Sequence, residues 1–166
     1  MTTLLSRDPI TEHRPTPALD HATTHAITSA ILRASAIVLL LSLAVIHVVQ
    51  LVPTFQQMPA LGVGYVLVIV GTVVVAARLV KGHDSAVQLW LPVAALGLAV
   101  FAGYAFTRMF STPLDNQDVG NWSCMLGLAA LFVEGLLVAV AAYAISLGRT
   151  ASLQPLRVSS RTGQEP

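Results

Sequence analysis

The chain has 166 residues, of which 55% are apolar and only 10% charged, and its mean hydropathy is +0.74. Soluble domains average about 25% charged residues, so the composition points to an integral membrane protein whose length suits a single bundle of spans. A net charge of +1, with nine basic residues scattered along the chain, excludes a nucleic-acid-binding surface, and the single cysteine, Cys124, excludes an internal disulfide or a two-cysteine redox pair.

Residues 1–26 are polar, with Arg7, Asp8, Glu12, Arg14 and Asp20 set around Pro9, Pro15 and Pro17. Such a segment cannot bury enough apolar area to order itself and reads as a flexible tail. His21 and His25 stand four apart, but no third ligand accompanies them, so no metal site is assigned. The apolar run that follows is too late and too long for the h-region of a cleaved signal peptide.

Four apolar spans are expected, at about 31–52, 63–80, 89–106 and 124–147. Each reaches roughly the ~30 Å of a hydrocarbon core at ~1.5 Å per residue. Pro53 is expected to end the first span and to open the loop PTFQQMPALG. Pro92 falls in the first turn of the third span, where no backbone donor is missed. Gly148 and Arg149 are expected to stop the fourth, leaving 149–166 as a disordered tail. The fold class is therefore all-α: a polytopic membrane protein with a four-transmembrane-helix bundle over 27–148.

Orientation follows from the basic residues. Arg7, Arg14, Arg33, Arg78, Lys81, Arg149, Arg157 and Arg161 fall on one side of the expected spans and Arg108 alone on the other. The positive-inside rule then places both termini in the cytoplasm. Trp90 reads as an interfacial aromatic at the inner end of the third span, and Tyr65, Tyr104 and Trp122 as interfacial aromatics at outer ends.

The polar residues at membrane depth are few, and they cluster toward the outer side. His47 and Gln50 share a face of the first span, Tyr104 and Arg108 share one at the end of the third, and Asp118 and Asn121 stand where they could cap the fourth helix. Glu134 lies nearest the midplane. A carboxyl there costs roughly 2.5–3.5 kcal/mol on insertion scales, so it must pair across helices, be protonated or face water. Its helical face, Gly127, Ala130, Glu134, Val138 and Ala141, is mostly small and is expected to turn into the bundle. Ala95, Ala99 and Gly103 form a second small stripe, expected at a close helix crossing. Arg108 reads as an interfacial anchor whose guanidinium snorkels to phosphate, with a ligand clamp as the alternative; it is expected near Asp115 or Asp118, since an unpaired guanidinium beside hydrocarbon would lose hydration without replacement. Glu134 is expected within direct or one-water reach of His47, although their depths differ by about 8 Å if both helices cross upright.

No cofactor or metal signature is present. A haem held by two intramembrane histidines would need a partner for His47, and phosphate-cradling Gly-rich loops and HExxH are absent. No nucleophile and base are visibly paired, so no catalytic residue is named and an enzyme ranks third. The first reading is a small-ligand-binding or proton-handling membrane protein whose outward-facing site comprises His47, Gln50, Tyr104, Arg108, Asp118, Trp122 and Glu134. The second is a non-catalytic accessory subunit whose polar residues bind its own helices or a partner membrane protein. A dry Glu134 paired to His47 would favour that second reading.

The pieces AVIHVVQLVP, GYAFTRMFSTP, DVGNW and LGLAALFVEG resemble a family of small four-helix membrane proteins common in actinobacteria. In that family the last blocks look like GYxLSRTxGLP, then DVGNW, then a small-residue helix ending in VEG. His47, Tyr104, Arg108, Pro113, Asp118, Gly120, Asn121, Trp122, Gly127 and Glu134 occupy matching positions. The chain departs at Phe106 and Thr107, and again from Met109 to Thr112. The resemblance covers most of the membrane region and neither tail. It implies a multi-pass four-helix protein of a bacterial plasma membrane and brings no activity with it; the lipid bilayer follows from composition, a homodimer from the small size of the chain were it a transporter, and a partner membrane protein from the accessory-subunit reading.

Overall fold

The computed structural model describes residues 17–82, 86–111 and 119–159. Four helices account for nearly all of them: α1 (Pro17–Gln57), α2 (Pro59–Lys81), α3 (Ala86–Met109) and α4 (Met125–Ser159). All four are long and apolar enough to cross a membrane, over Thr23–Gln57, Pro59–Lys81, Val87–Met109 and Met125–Thr150. The chain is thus a multi-pass membrane protein. A helix is the only open element that satisfies every backbone donor and acceptor within hydrocarbon. The few hydroxyls follow the same rule: Ser42 donates to the Val38 carbonyl, Thr72 to Ile69 and Thr107 to Tyr104.

The helix boundaries correct the expected ones. α1 begins at Pro17, inside the segment read as a tail, because a proline is pre-organised for the first helical position and nothing up to Pro53 breaks the run. Pro53 does not end it either, and the helix runs on to Gln57. Loss of one donor is tolerated where the surrounding turns are intact, and the Met58 amide still reaches the Thr54 carbonyl at 2.7 Å. The break comes at Met58, whose φ of −142° and ψ of 79° lie outside the helical region, which Pro59 disfavours for the residue before it. What was expected as a ten-residue loop is therefore one non-helical residue between two helices.

Pro92 sits inside α3 rather than in its first turn, since that helix starts at Ala86. α4 passes through Gly148 and Arg149 to Ser159, because one glycine costs a helix only about 1 kcal/mol. α2 stops one residue past the expected end of its span at 80: Gly82 takes the left-handed conformation, φ 62°, and donates to the Arg78 carbonyl at 3.1 Å.

The helices run antiparallel in sequence order. α1 packs most extensively on α2, α3 on α4, and α1 on α4, while the α2–α3 seam that closes the ring is much sparser. The core lies on the Gly82 side and in the middle, where Ala36, Leu40 and Leu43 of α1, Leu79 of α2, Leu89, Trp90 and Val93 of α3, and Leu137, Ala141 and Ala144 of α4 are buried together. Trp90 therefore belongs to this core and not to an interfacial belt. Val38, Val45, Val49, Val70, Val74, Leu98 and Phe132 are exposed and form the surface that lipid covers.

Candidate functional site

The small face of α4 turns inward as expected. Gly127, Ala130, Glu134 and Ala141 are buried, and Leu137 lies among them. The partner face on α3 is not the Ala95, Ala99 and Gly103 stripe, all of which are exposed. Large residues meet small ones instead. A Cβ on Gly127 would stand 2.5 Å from the Tyr104 ring, and one on Gly97 would stand 3.0 Å from Val138 Cγ2 and 3.4 Å from the Glu134 carbonyl oxygen. Matching a ring to a glycine fills space better than facing two gaps, and in lipid such packing is the main force joining helices.

These contacts set the α3–α4 register and place three layers of polar groups. Arg108 lies at the loop end, where its carbonyl accepts from the Gly120 amide at 3.0 Å. Gly120 has φ 78°, which only a glycine adopts without strain, and it turns the chain back onto the end of α3. One turn deeper is Tyr104. Its ring carries the Arg108 guanidinium, with Cζ 4.7 Å from the centroid, and meets Trp122 edge to face at 6.2 Å. Two further turns down, level with Gly97, is Glu134.

Arg108 is only 8% exposed. It turns into the protein over Tyr104, so the snorkelling anchor is not what forms. Asp115 and Asp118, its expected partners, lie outside the described residues, as does Asp118 as a cap. Asn121 is not a cap, because α4 begins at Met125 and the residue before it is Cys124, whose carbonyl accepts from Leu128 at 2.9 Å.

On the opposite wall, α1 and α2 bring His47, Gln50 and Tyr65 together. The Tyr65 hydroxyl donates to Gln50 Oε1 at 3.2 Å, and the His47 ring meets Tyr65 edge to face at 4.9 Å. His47 Nδ1 lies 2.9 Å from the Leu43 carbonyl. A carbonyl only accepts, so Nδ1 carries a proton and the ring is anchored to its own helix. Neither Glu134 oxygen has a hydrogen-bond partner among the described residues, so His47 and Glu134 are not joined directly. They are closer in depth than expected, however: α1 runs on to Gln57, so His47 is ten residues from its helix end, about 15 Å, and Glu134 is nine from Met125, about 14 Å.

Between these walls lies a cavity of about 490 Å³, lined by His47, Gln50, Tyr104, Arg108 and Glu134 among the expected residues and by Tyr65, Thr107 and Cys124 beyond them. The volume falls in the range of small-ligand sites, which are mostly apolar with a few placed polar groups. Trp122 contributes through Tyr104 and does not line the cavity. Tyr65, read from sequence as an interfacial aromatic, is the residue most clearly missed; a polar side chain in the otherwise apolar first turns of α2 was the available signal.

Glu134 sets the electrostatics. It is 1% exposed, and neither Oε1 nor Oε2 accepts a hydrogen bond from the described residues. A smaller recess of about 190 Å³ lies at the Gly82 end beside His25, Ser29, Arg33 and Trp90. Among the described residues no three His, Cys, Asp or Glu side chains gather as a metal site. Comparison of the chain with protein-family models, with curated proteins and with solved structures finds no match.

Proposed function

We propose that this membrane protein binds a small ligand in the cavity between its four helices, with Glu134 as the group that engages it. The observation that carries this reading is Glu134, a residue that lines a ligand-sized cavity and whose buried carboxyl is bonded to no protein donor among the described residues. A carboxyl kept for structure would be met by donors from its own bundle. The donor expected from the sequence, His47, spends Nδ1 on the Leu43 carbonyl. That separation supports ligand binding over the accessory-subunit reading. The resemblance to the actinobacterial four-helix family, whose matching positions include His47, Tyr104, Arg108 and Glu134, belongs to the same proposal.

The test is Glu134→Gln, followed by thermal unfolding in detergent. If the carboxyl serves a ligand, the substitution leaves the midpoint unchanged or raises it, since an amide is less costly to bury than a carboxyl without partners. A drop of several degrees would show that Glu134 holds the bundle together and would sink the proposal.

The same proposal sets the cavity on the outer side. Among described residues, Arg33 packs on Gly82, and Arg78, Lys81 and Arg149 are at that same end, opposite Arg108, which supports cytoplasmic termini. With Cys124 replaced, a cysteine introduced at Gln57 should react with an impermeant thiol reagent from outside, and one at His83 should not. The reverse pattern would invert the orientation.

A further inference from the structure

The α2–α3 seam is the weak side of the bundle, and its register explains why. Gly71 faces Leu96, whose Cδ1 would stand 3.3 Å from a Cβ at Gly71. In an antiparallel pair, seven residues on from that contact, two turns toward the Met58 end, bring Gly64 and Gly103 to one level. A Cβ at either would meet nothing within 4 Å, and both line the cavity. Leu67 and Phe106 also line it, yet they are 67% and 52% exposed on the face that lipid covers. The cavity wall and the lipid-facing surface are thus continuous along this seam. Level with Gly97 is Glu134, which also lines the cavity; its side chain is 1% exposed and its carboxyl oxygens meet no donor among the described residues.

Resting on the ligand-binding reading above, we propose that the ligand is a lipophilic amine that enters sideways from the hydrocarbon, between Gly64 and Gly103, and places its ammonium on Glu134. An ammonium supplies both a positive charge and N–H donors, which are what the two Glu134 oxygens lack. Apolar walls from Leu61, Val68, Ala99 and Val100 suit an alkyl or aryl body. The cationic groups that could oppose it are placed away from the carboxyl. Arg108 is eleven residues from the Gly97 level, about 16 Å along α3, and its charge rests on the Tyr104 ring. His47 is anchored to Leu43. An anionic amphiphile would instead have to lay its tail against the unmatched Glu134 carboxyl.

The experiment uses the full chain in lipid nanodiscs, titrated with octylamine, octanoate and octanol against empty discs as the blank. Octylamine should bind at one saturable site, at least tenfold more tightly than the other two, and Glu134→Gln should weaken it at least tenfold. The double variant Gly64→Leu, Gly103→Leu adds side chains where there is open space and so should fold. It should slow octylamine association, read by tryptophan fluorescence, at least fivefold. Unchanged association in that variant overturns the lateral route. Tighter octanoate binding, or octylamine binding that survives Glu134→Gln, overturns the amine, while the ligand-binding reading stands as long as Glu134→Gln keeps its unfolding midpoint. If none of the three probes binds saturably, the amine inference falls. If Glu134→Gln also lowers the midpoint, the ligand-binding reading falls with it.

Discussion

The two halves of this bundle are built from the same four helices, and they differ in what the helices present to one another. On the Gly82 side and in the middle, leucines of α1, α2 and α4 interlock with Ala36, Ala141 and Ala144, and Leu40, Leu43, Val93 and Leu137 are all but sealed. On the Met58 side, polar side chains hold neighbours in pairs: Tyr65 to Gln50, Tyr104 to Trp122, and Arg108 over Tyr104. Between those pairs a cavity stays open. Close packing and an internal cavity compete for the same space, and here the chain separates them along the helix axes. Close packing is concentrated in one half, and the cavity lies in the other.

Substitutions can break or sharpen that contrast. The largest effect should come from Leu137→Ala in the packed half. It opens a hole in a fully buried layer and should cost about 2 kcal/mol, toward the low end for buried leucines because lipid is as apolar as the core. Reversible unfolding in mixed micelles would measure it, and a loss below ~0.5 kcal/mol would mean that this layer is not the stabilising one. Gly127→Ala in the open half should cost less, about 1 kcal/mol. The new methyl group displaces the Tyr104 ring, and the helix propensity of alanine offsets part of the strain. Its signature is local: Trp122 emission should shift as its contact with Tyr104 loosens. An unshifted spectrum would contradict the Gly127–Tyr104 contact. The smallest effect belongs to Gly135→Ala on the same helix. Nothing stands within 4 Å of the added carbon, so this change should be neutral or stabilising by up to ~1 kcal/mol.

The inward face of α4 was legible in advance because Gly127, Ala130 and Ala141 surround the one acidic residue of a span, and small residues together with a buried charge are both reasons to turn from lipid. Arg108 was misread as an anchor because its position in the sequence is interfacial; only the Tyr104 ring beneath it, seated on Gly127, draws it inward. Tyr65 was passed over for the same reason, since its role depends on Gln50 and His47, fifteen and eighteen residues away. Pro53 misled as a helix stop because proline removes one hydrogen bond but does not forbid the next turn.

Composition and span length alone determined that the chain crosses a membrane four times as helices, because a bilayer accepts no unsatisfied backbone and apolar runs of this length have no other home. Local chemistry likewise determined the stops at Met58, before Pro59, and at Gly82. Which face of each helix meets which neighbour was decided only in three dimensions. In a soluble protein the contrast between apolar and polar faces announces the answer. Here nearly every face is apolar, so periodicity carries little direction, and the choice of Gly97 over Gly103, or of Trp90 for the core, rests on the fit of large side chains against small ones across helices that the sequence lists far apart.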